Sequence, residues 1–470
     1  MEAIKASFVP DITQNPKLLE KFSESGPYYT NYPTHGNWSN QLHHAAYVES
    51  LKDFFSKNSR APIHLYIHIP FCAKLCYYCI CNIKITNSRE KMQHFTDYLC
   101  REVDLLKNIF SEISVKPNFK EIHLGGGTPS HLENDQIQQV VSKLGEIADL
   151  KGLSEFAMEI DPRTASKDKL RFYSVLGINR ISFGVQDFDP NVQEAINRVQ
   201  PVELVEELLP ADVRAGFDGL NFDLLYGLPR QTRQTFQRTL ELVKNLAPER
   251  ITLLKYAHAP EVRKHMKLID SNELPPATEL PLMFYDAVRT LTAAGYVWVG
   301  IDHFAKPSDD LAEAVREKRV WRNFGGFTTG KTHNLIGIGP TATCAVGSTY
   351  YQNAYEMKEY FAAIDKGEFP IHRGYRMDSD DVMRREIIFR ILCDSALSYE
   401  QIENKFGISF KHYFSHELAA LAAFKQNGIL EFGENSFSLT PVGRFFGRHV
   451  AKVFDRFLQK SGGVYKLTGP

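Results

Sequence analysis

Six short apolar segments recur along this chain, separated by patterns of helical period, and that rhythm leaves few folds open to it. They are residues 63–69 (Ile-His-Leu-Tyr-Ile-His-Ile), 120–124, 155–160, 180–185, 219–225 and 250–256. The legible stops are Pro70, the Gly125-Gly126-Gly127 run, Asp161-Pro162, Gly227 and Pro229. Between them lie stretches such as Gln136 to Leu144, apolar at helical spacing. Buried strands alternating with amphipathic helices predict a parallel sheet with right-handed crossovers. Period alone does not separate a doubly wound sheet from a barrel. The polar and glycine residues at the strand ends favour an α/β fold of the partial, open (β/α)6 barrel kind, which works at its strands' C-terminal ends. The expected division is an extension packed on the barrel (1–62), the barrel (63–262), a substrate-side extension of the core (263–377) and a mostly helical domain (378–470). In the first, the Gly-Pro-Tyr-Tyr-Thr-Asn-Tyr-Pro run at 26–33 predicts extended rather than helical chain. In the last, Ser436 to Thr440, stopped by Pro441, predicts a hairpin strand, and a winged helix is the arrangement that suits it.

Charge excludes some partners. Lys and Arg total 55 against 56 Asp and Glu, a net charge of -1, so neither nucleic acid nor an anionic membrane is expected. The start, Met1 to Lys5, lacks the apolar core of a signal peptide. The longest uncharged stretch, Asn334 to Tyr355, is too rich in Gly, Pro and Thr for the roughly 20-residue apolar run of a membrane helix. A cytoplasmic protein is expected. Four of the seven cysteines fall between Cys72 and Cys81, which is a poor disulfide framework and a good metal site.

That loop reads Cys72-Ala73-Lys74-Leu75-Cys76-Tyr77-Tyr78-Cys79-Ile80-Cys81. Cys72, Cys76 and Cys79, spaced C-x3-C-x2-C, suit one [4Fe-4S] cubane held on three irons, with the fourth iron open to a non-protein ligand. A zinc knuckle would place a second pair of Cys or His a dozen or more residues on, and none follows. The Gly125-Gly126-Gly127-Thr128-Pro129 run lets backbone N–H groups approach a ligand closely. The Gly-Lys-Ser/Thr ending of a phosphate loop is missing.

The chain resembles the radical S-adenosylmethionine superfamily, and within it the oxygen-independent coproporphyrinogen III oxidase family, nearly end to end. The resemblance is carried by Tyr66-Ile67-His68-Ile69-Pro70-Phe71-Cys72, the cysteine loop with its extra Cys81, His123 to Pro129 and Glu159-Ile160-Asp161-Pro162-Arg163. It continues through Gly184 to Phe188, Asp223 to Pro229, Tyr256-Ala257-His258, Asp302 to Ala305 and Arg322-Asn323-Phe324. It implies that the open iron takes the amino and carboxylate groups of S-adenosylmethionine, whose cleavage yields a 5'-deoxyadenosyl radical. The protein's part is then binding, orientation and exclusion of side reactions, with no side chain assigned a catalytic role. By resemblance Tyr66, Tyr78, Gly126, Gly127, Thr128, Glu159 and Ala257 contact this cofactor. Gln186, Arg198 and Asp223 match positions tied to a second S-adenosylmethionine or nearby adenosyl groups, and Thr343 a position linked to cofactor binding. Each has a plainer reading as a tight turn, a salt-bridged strand end, a surface cation or packing. His68, His258 and His303 are further polar candidates.

The resemblance implies a tetrapyrrole substrate, a flavodoxin- or ferredoxin-type electron donor and a monomer. The implied reaction is oxidative decarboxylation of two propionates of coproporphyrinogen III. A paralogue acting on another large heterocycle, or a haem chaperone, are the alternatives; the retained Cys81 counts against the chaperone. Five positions depart from the family pattern: Tyr28 stands where an Arg is expected, Ala73 for a His, Ile80 for a Gly, Gly325 for a Gln and Thr343 for an apolar residue. All five are expected in or near the site.

Overall fold

A computed structural model describes residues 9–13, 15–23 and 26–460. All six expected strands form: β1 (Pro62–Ile69), β2 (Asn118–Gly126), β3 (Glu155–Ile160), β4 (Arg180–Gln186), β5 (Gly219–Tyr226) and β6 (Arg250–Lys255). They pair in parallel and in chain order. Alternation sorts their faces. Ile63, Leu65, Ile67, Phe222, Leu224, Ile251 and Leu253 enter the main apolar core. His64, Tyr66, His68, Glu159, Ser182 and Asp223, at alternate positions, share the opposite face and carry the polar groups. Burying one side under helices and giving the other to polar groups is what suits a barrel to chemistry.

The sheet extends beyond the barrel. Six more strands follow: β7 (Val297–Gly300), β8 (His303–Ala305), β9 (Leu335–Ile338), β10 (Thr343–Val346), β11 (Thr349–Asn353) and β12 (Ile371–Arg376). The order across the sheet is β12-β11-β10-β9-β1-β2-β3-β4-β5-β6-β8-β7. The strand–helix rhythm does stop after residue 262, but strands do not. These are short, mostly antiparallel segments; helices interrupt them only at Asp310–Arg316 and Met357–Asp365, so the regular strand–helix period that marks crossover units is missing.

The first 62 residues divide. Residues 26–33 are not helical, as expected, but they bend at 30–33 and Tyr29 is left-handed, φ +48°, so the run is not simply extended. His44–Lys57 is a helix that buries Tyr47, Leu51 and Phe55 at intervals of four, which the extended reading overlooked. The Met1 to Lys5 segment and residues 461–470 lie outside the described residues. The C-terminal region sets helices Ser379–Asp394, Tyr399–Phe406 and Ser415–Gln426 around a three-stranded antiparallel sheet whose middle strand is Ser436–Leu439. That is a winged-helix arrangement. Among the described residues no helix is long and apolar enough to cross a membrane.

Two cations and two anions tie the sheet together at the N-terminal ends of the strands. Arg250 reaches Asp309 at 2.7 Å and Glu155 at 2.8 Å, and Arg180 reaches the same carboxylates at 3.0 and 2.9 Å. All but Glu155 are nearly fully buried, so each charge depends on its partners. Asp309→Ala is expected to destabilise the protein by about 3–5 kcal/mol, because it strands two buried guanidinium groups. Thermal unfolding of the cluster-free protein measures this.

Candidate functional site

Pro70 ends β1 and the chain turns into the cysteine loop. A two-residue parallel pairing of Phe71–Cys72 with Lys84–Ile85 closes its neck, with the Lys84 N–H donating to the Pro70 carbonyl at 2.7 Å. Loops from distant strand ends then grip it. After β4, the Tyr77 N–H donates to Ile196 O at 3.0 Å and Asn197 Nδ2 to Leu75 O at 2.8 Å. After β6, His265 Nε2 donates to Cys79 O and Arg263 Nε to Ile80 O, both at 2.7 Å. From the end of β1, His68 accepts from Tyr66 Oη (3.2 Å) on Nδ1 and donates to Asn82 O (3.1 Å) from Nε2. This assignment satisfies both ring nitrogens with one neutral tautomer.

Cys72, Cys76 and Cys79 lie close enough together for the latter two to disfavour the Cys72 thiolate. Burial, and then the neighbouring Cys79 and Cys76, push Cys72 up to about 12, against a hydroxyl of Thr128 at 3.3 Å. Cys79 is raised by a hydrogen bond to Cys81 and then by burial; Cys81 itself is exposed. Cys76 is buried and accepts from Arg163 at 3.3 Å and Arg198 at 3.5 Å. Asp161 joins the same two arginines, at 2.7 and 3.2 Å. Burial would raise this carboxyl, but Arg198 and Arg163 hold it at about 2. Two guanidinium groups on one sulfur suit a thiolate, and high-lying thiols ionise only beside added positive charge. Among the described residues no three His, Cys, Asp or Glu side chains are gathered to hold a single metal ion. A cubane asks for something else, one thiolate on each of three irons. The donor set fits that group.

The glycine run lies beside the loop. Gly126 has φ +115°, a region that disfavours side chains, and its N–H donates to Glu159 Oε2 at 3.0 Å. A Cβ on Gly127 would stand 2.7 Å from the Pro70 carbonyl, so this glycine also serves the packing of β1 on β2. Gly127→Ala is expected to cost about 1–3 kcal/mol by overpacking, read as a lower melting temperature of the cluster-free protein.

Glu159 accepts a second bond from His123 Nε2 at 3.1 Å, and Tyr66 stacks on His123 with ring centres 5.9 Å apart. Burial works against both charges, yet each partner favours the other's: His123 is raised and Glu159 lowered. A raised His pKa contributes stability below the unfolded value of 6.5 and loses it as pH rises through the folded value. A lowered Glu pKa contributes above 4.5 and loses it as pH falls. The pair is therefore strongest between those two values, and His123→Gln is expected to lower stability most inside that window and to flatten its fall on either side. Asp223, across the space, accepts from Ser182 at 2.8 Å and Asn221 at 2.9 Å; burial, then the Glu159 charge, raises it. Gln186 ends β4 in the left-handed region, φ +65°, where β4 slips register on β5; such strain in a side-chain-bearing residue marks a constrained position.

The other expected residues divide. Tyr78 lies among the charges of Arg198, Cys76 and Cys79, and burial raises its phenol. Ala257 follows β6, half-buried. Thr343, in β10, is buried and hydrogen-bonded to His35 at 3.2 Å. Rings link it to Tyr66, from His35 to Phe324 and from Phe324 to Tyr66. Of the five departures, Ala73 and Ile80 belong to the loop and Gly325 to the turn after Phe324. Tyr28 does not belong to the site. It lines a cavity with Tyr226, Leu253, Phe284 and Trp298, on the core face of β5 and β6, under the guanidinium of Arg448 at 4.3 Å. Leu225 and Leu254, which pack towards Tyr77, Tyr78 and Ile80, point the other way. His258 bonds Tyr256 and Ser271, and His303 bonds Asp302 at 2.6 Å. Arg163 and His123 stood inside quoted motifs without a role. Arg263 and His265 had no signal at all.

Residues 66–243 match the family model of the Radical SAM superfamily, and residues 377–446 that of the HemN C-terminal domain. The chain is 36% identical over 443 residues to the oxygen-independent coproporphyrinogen III oxidase of Pseudomonas aeruginosa, covering 94% of this chain and 95% of that protein. It is 35% identical over 451 residues to the enzyme of that name from Escherichia coli K12, covering 96% and 97%. Among solved structures it resembles coproporphyrinogen III oxidase from Escherichia coli, described as a radical SAM enzyme, with a TM-score of 0.86 and 35% identity over 92% of this chain and 98% of that one.

Proposed function

This chain belongs to the radical SAM family of oxygen-independent coproporphyrinogen III oxidases, and from that premise we propose that it converts coproporphyrinogen III to protoporphyrinogen IX without dioxygen. Each of two propionates loses a hydrogen atom from the carbon next to the ring, carbon dioxide and one electron, and leaves a vinyl group. The observation that carries the reading is Cys72, Cys76 and Cys79 presented at the C-terminal end of a parallel barrel beside Glu159, Asp223 and the glycine run. When bound, the reduced cluster and S-adenosylmethionine supply the 5'-deoxyadenosyl radical that takes the hydrogen.

The chain's own residues have simpler tasks. Cys72, Cys76 and Cys79 hold the cluster, and Arg163 and Arg198 offset thiolate charge at Cys76. Gly126, Gly127 and Thr128 offer close backbone approach to the methionine end of the cofactor. Glu159, kept ionised by His123, accepts from its ammonium or hydroxyl groups. Tyr66, Tyr78 and Ala257 provide packing, while Gln186, Arg198, Asp223 and Thr343 extend the cofactor surface. The remaining expectations are a cytoplasmic monomer reduced by a flavodoxin- or ferredoxin-type donor, with residues 263–377 a substrate-side extension of the core and 378–470 a mostly helical C-terminal domain.

Reconstituted protein given reductant, S-adenosylmethionine and coproporphyrinogen III under anaerobic conditions is expected to yield a product lighter by two molecules of carbon dioxide and four hydrogen atoms. Cofactor cleavage with the tetrapyrrole unchanged in mass would contradict the reading.

A further inference from the structure

The polar face of the barrel does not end at β1. Register carries it outwards: His64 stands opposite Leu335, Leu335 opposite Ala345, Thr343 opposite Gln352, and Gln352 opposite Arg373. Directly paired residues point the same way, and so do residues two apart. Thr343, Gln352 and Arg373 therefore form a row across β10, β11 and β12 on the face that holds Tyr66.

Arg373 is unlike the other inward cations. Arg180, Arg250 and Arg322 are each matched by buried carboxylates. Arg373 Nε donates to Gln352 Oε1 at 2.7 Å, and among the described residues no carboxylate lies within ion-pair distance of it. Burial lowers its pKa and nothing offsets the loss. Beside it His35 is half-buried, held at about 3 by desolvation and then by the Arg373 charge, so it stays neutral. The segment carrying His35 is pinned over this face by paired bonds between Ser39 and Gly374, both 2.9 Å. A half-buried guanidinium with two free-facing nitrogens, flanked by neutral donors, suits a carboxylate.

We propose that Arg373, aligned by Gln352 and bordered by His35 and Thr343, binds a carboxylate, that of a tetrapyrrole propionate remote from the reacting side chain. The inference rests on the proposed function. Arg373 lies four strands from β1, about 19 Å at ~4.8 Å per strand, a span suited to the far edge of a ring system whose near edge lies over the barrel. The methionine end of a second S-adenosylmethionine offers the same chemistry, and the test separates the two.

Reconstituted holoenzyme and its Arg373→Gln and Arg373→Lys variants are titrated with coproporphyrin III, with its tetramethyl ester and with S-adenosylmethionine. R373Q is expected to bind the free acid at least about tenfold more weakly, the loss of a charge-assisted hydrogen bond. Binding of the ester is expected to be unchanged, and R373K to recover part of the loss through its charge. A selective loss of S-adenosylmethionine affinity would assign the carboxylate to the cofactor and overturn the propionate assignment. Unchanged binding of both ligands by a folded R373Q would overturn the site altogether. Wild-type protein that neither binds coproporphyrin nor converts coproporphyrinogen would instead sink the reading beneath it.

Discussion

Cys76→Ala protein, reconstituted anaerobically with iron and sulfide, is expected to hold cluster at least about a hundredfold more weakly, since loss of even an outer partner of a metal ligand costs 10–100-fold. Cys76 is the buried member of the three, and two guanidinium groups converge on its sulfur. Its removal deletes a ligand and leaves Asp161 as the anion that Arg163 and Arg198 share. Iron and sulfide content, with the visible absorbance of the cluster, reads the effect. Cys81→Ala provides the contrast. That residue is exposed and touches Cys79 rather than the arginines, so most of the cluster should survive. Equal loss in both variants would mean that the loop, rather than three particular sulfurs, determines assembly.

Arg198→Met is expected to cost about 3–5 kcal/mol of stability, the usual price of opening a buried ion pair, and to shift the cluster potential. Its guanidinium joins Asp161 at 3.2 Å, the Gly184 carbonyl at 2.7 Å and Cys76 at 3.5 Å. The side chain thus connects the ends of β3 and β4 to the cysteine loop. A positive charge beside a thiolate ligand favours the more negative, reduced state, so its removal should make the potential more negative. Arg198→Lys should keep most of the charge effect while losing the fork that spans three partners. An EPR-monitored redox titration separates the electrostatic part from the structural part. A fall in stability with an unmoved potential would leave Arg198 a structural residue only.

The sequence made the barrel readable because a buried parallel strand is a short apolar run with a clear stop, and each crossover helix has its own period. The site was readable for a similar reason. Cys72, Cys76 and Cys79 lie within one loop, Gly126 and Gln186 end strands, and Glu159 and Asp223 lie on the polar faces of theirs. What escaped depended on distance in the chain. Arg263 and His265 are ordinary residues in a loop after β6 that become important only by reaching the carbonyls of Ile80 and Cys79. The strands β9 to β12 have little hydrophobic period of their own, because each is ordered by pairing with its neighbour, β9 with β1 and the rest in turn. Tyr28 shows the opposite error. A departure from the family pattern was expected in or near the site, whereas the fold places that ring on the core face, under Arg448.

Coproporphyrinogen III deuterated at the propionate carbons next to the ring tests the account most directly. With an open-cornered cluster serving this reaction, deuterium should appear in 5'-deoxyadenosine in step with carbon dioxide release. Unlabelled 5'-deoxyadenosine alongside decarboxylated product would show that the hydrogen leaves by another route and would contradict the account.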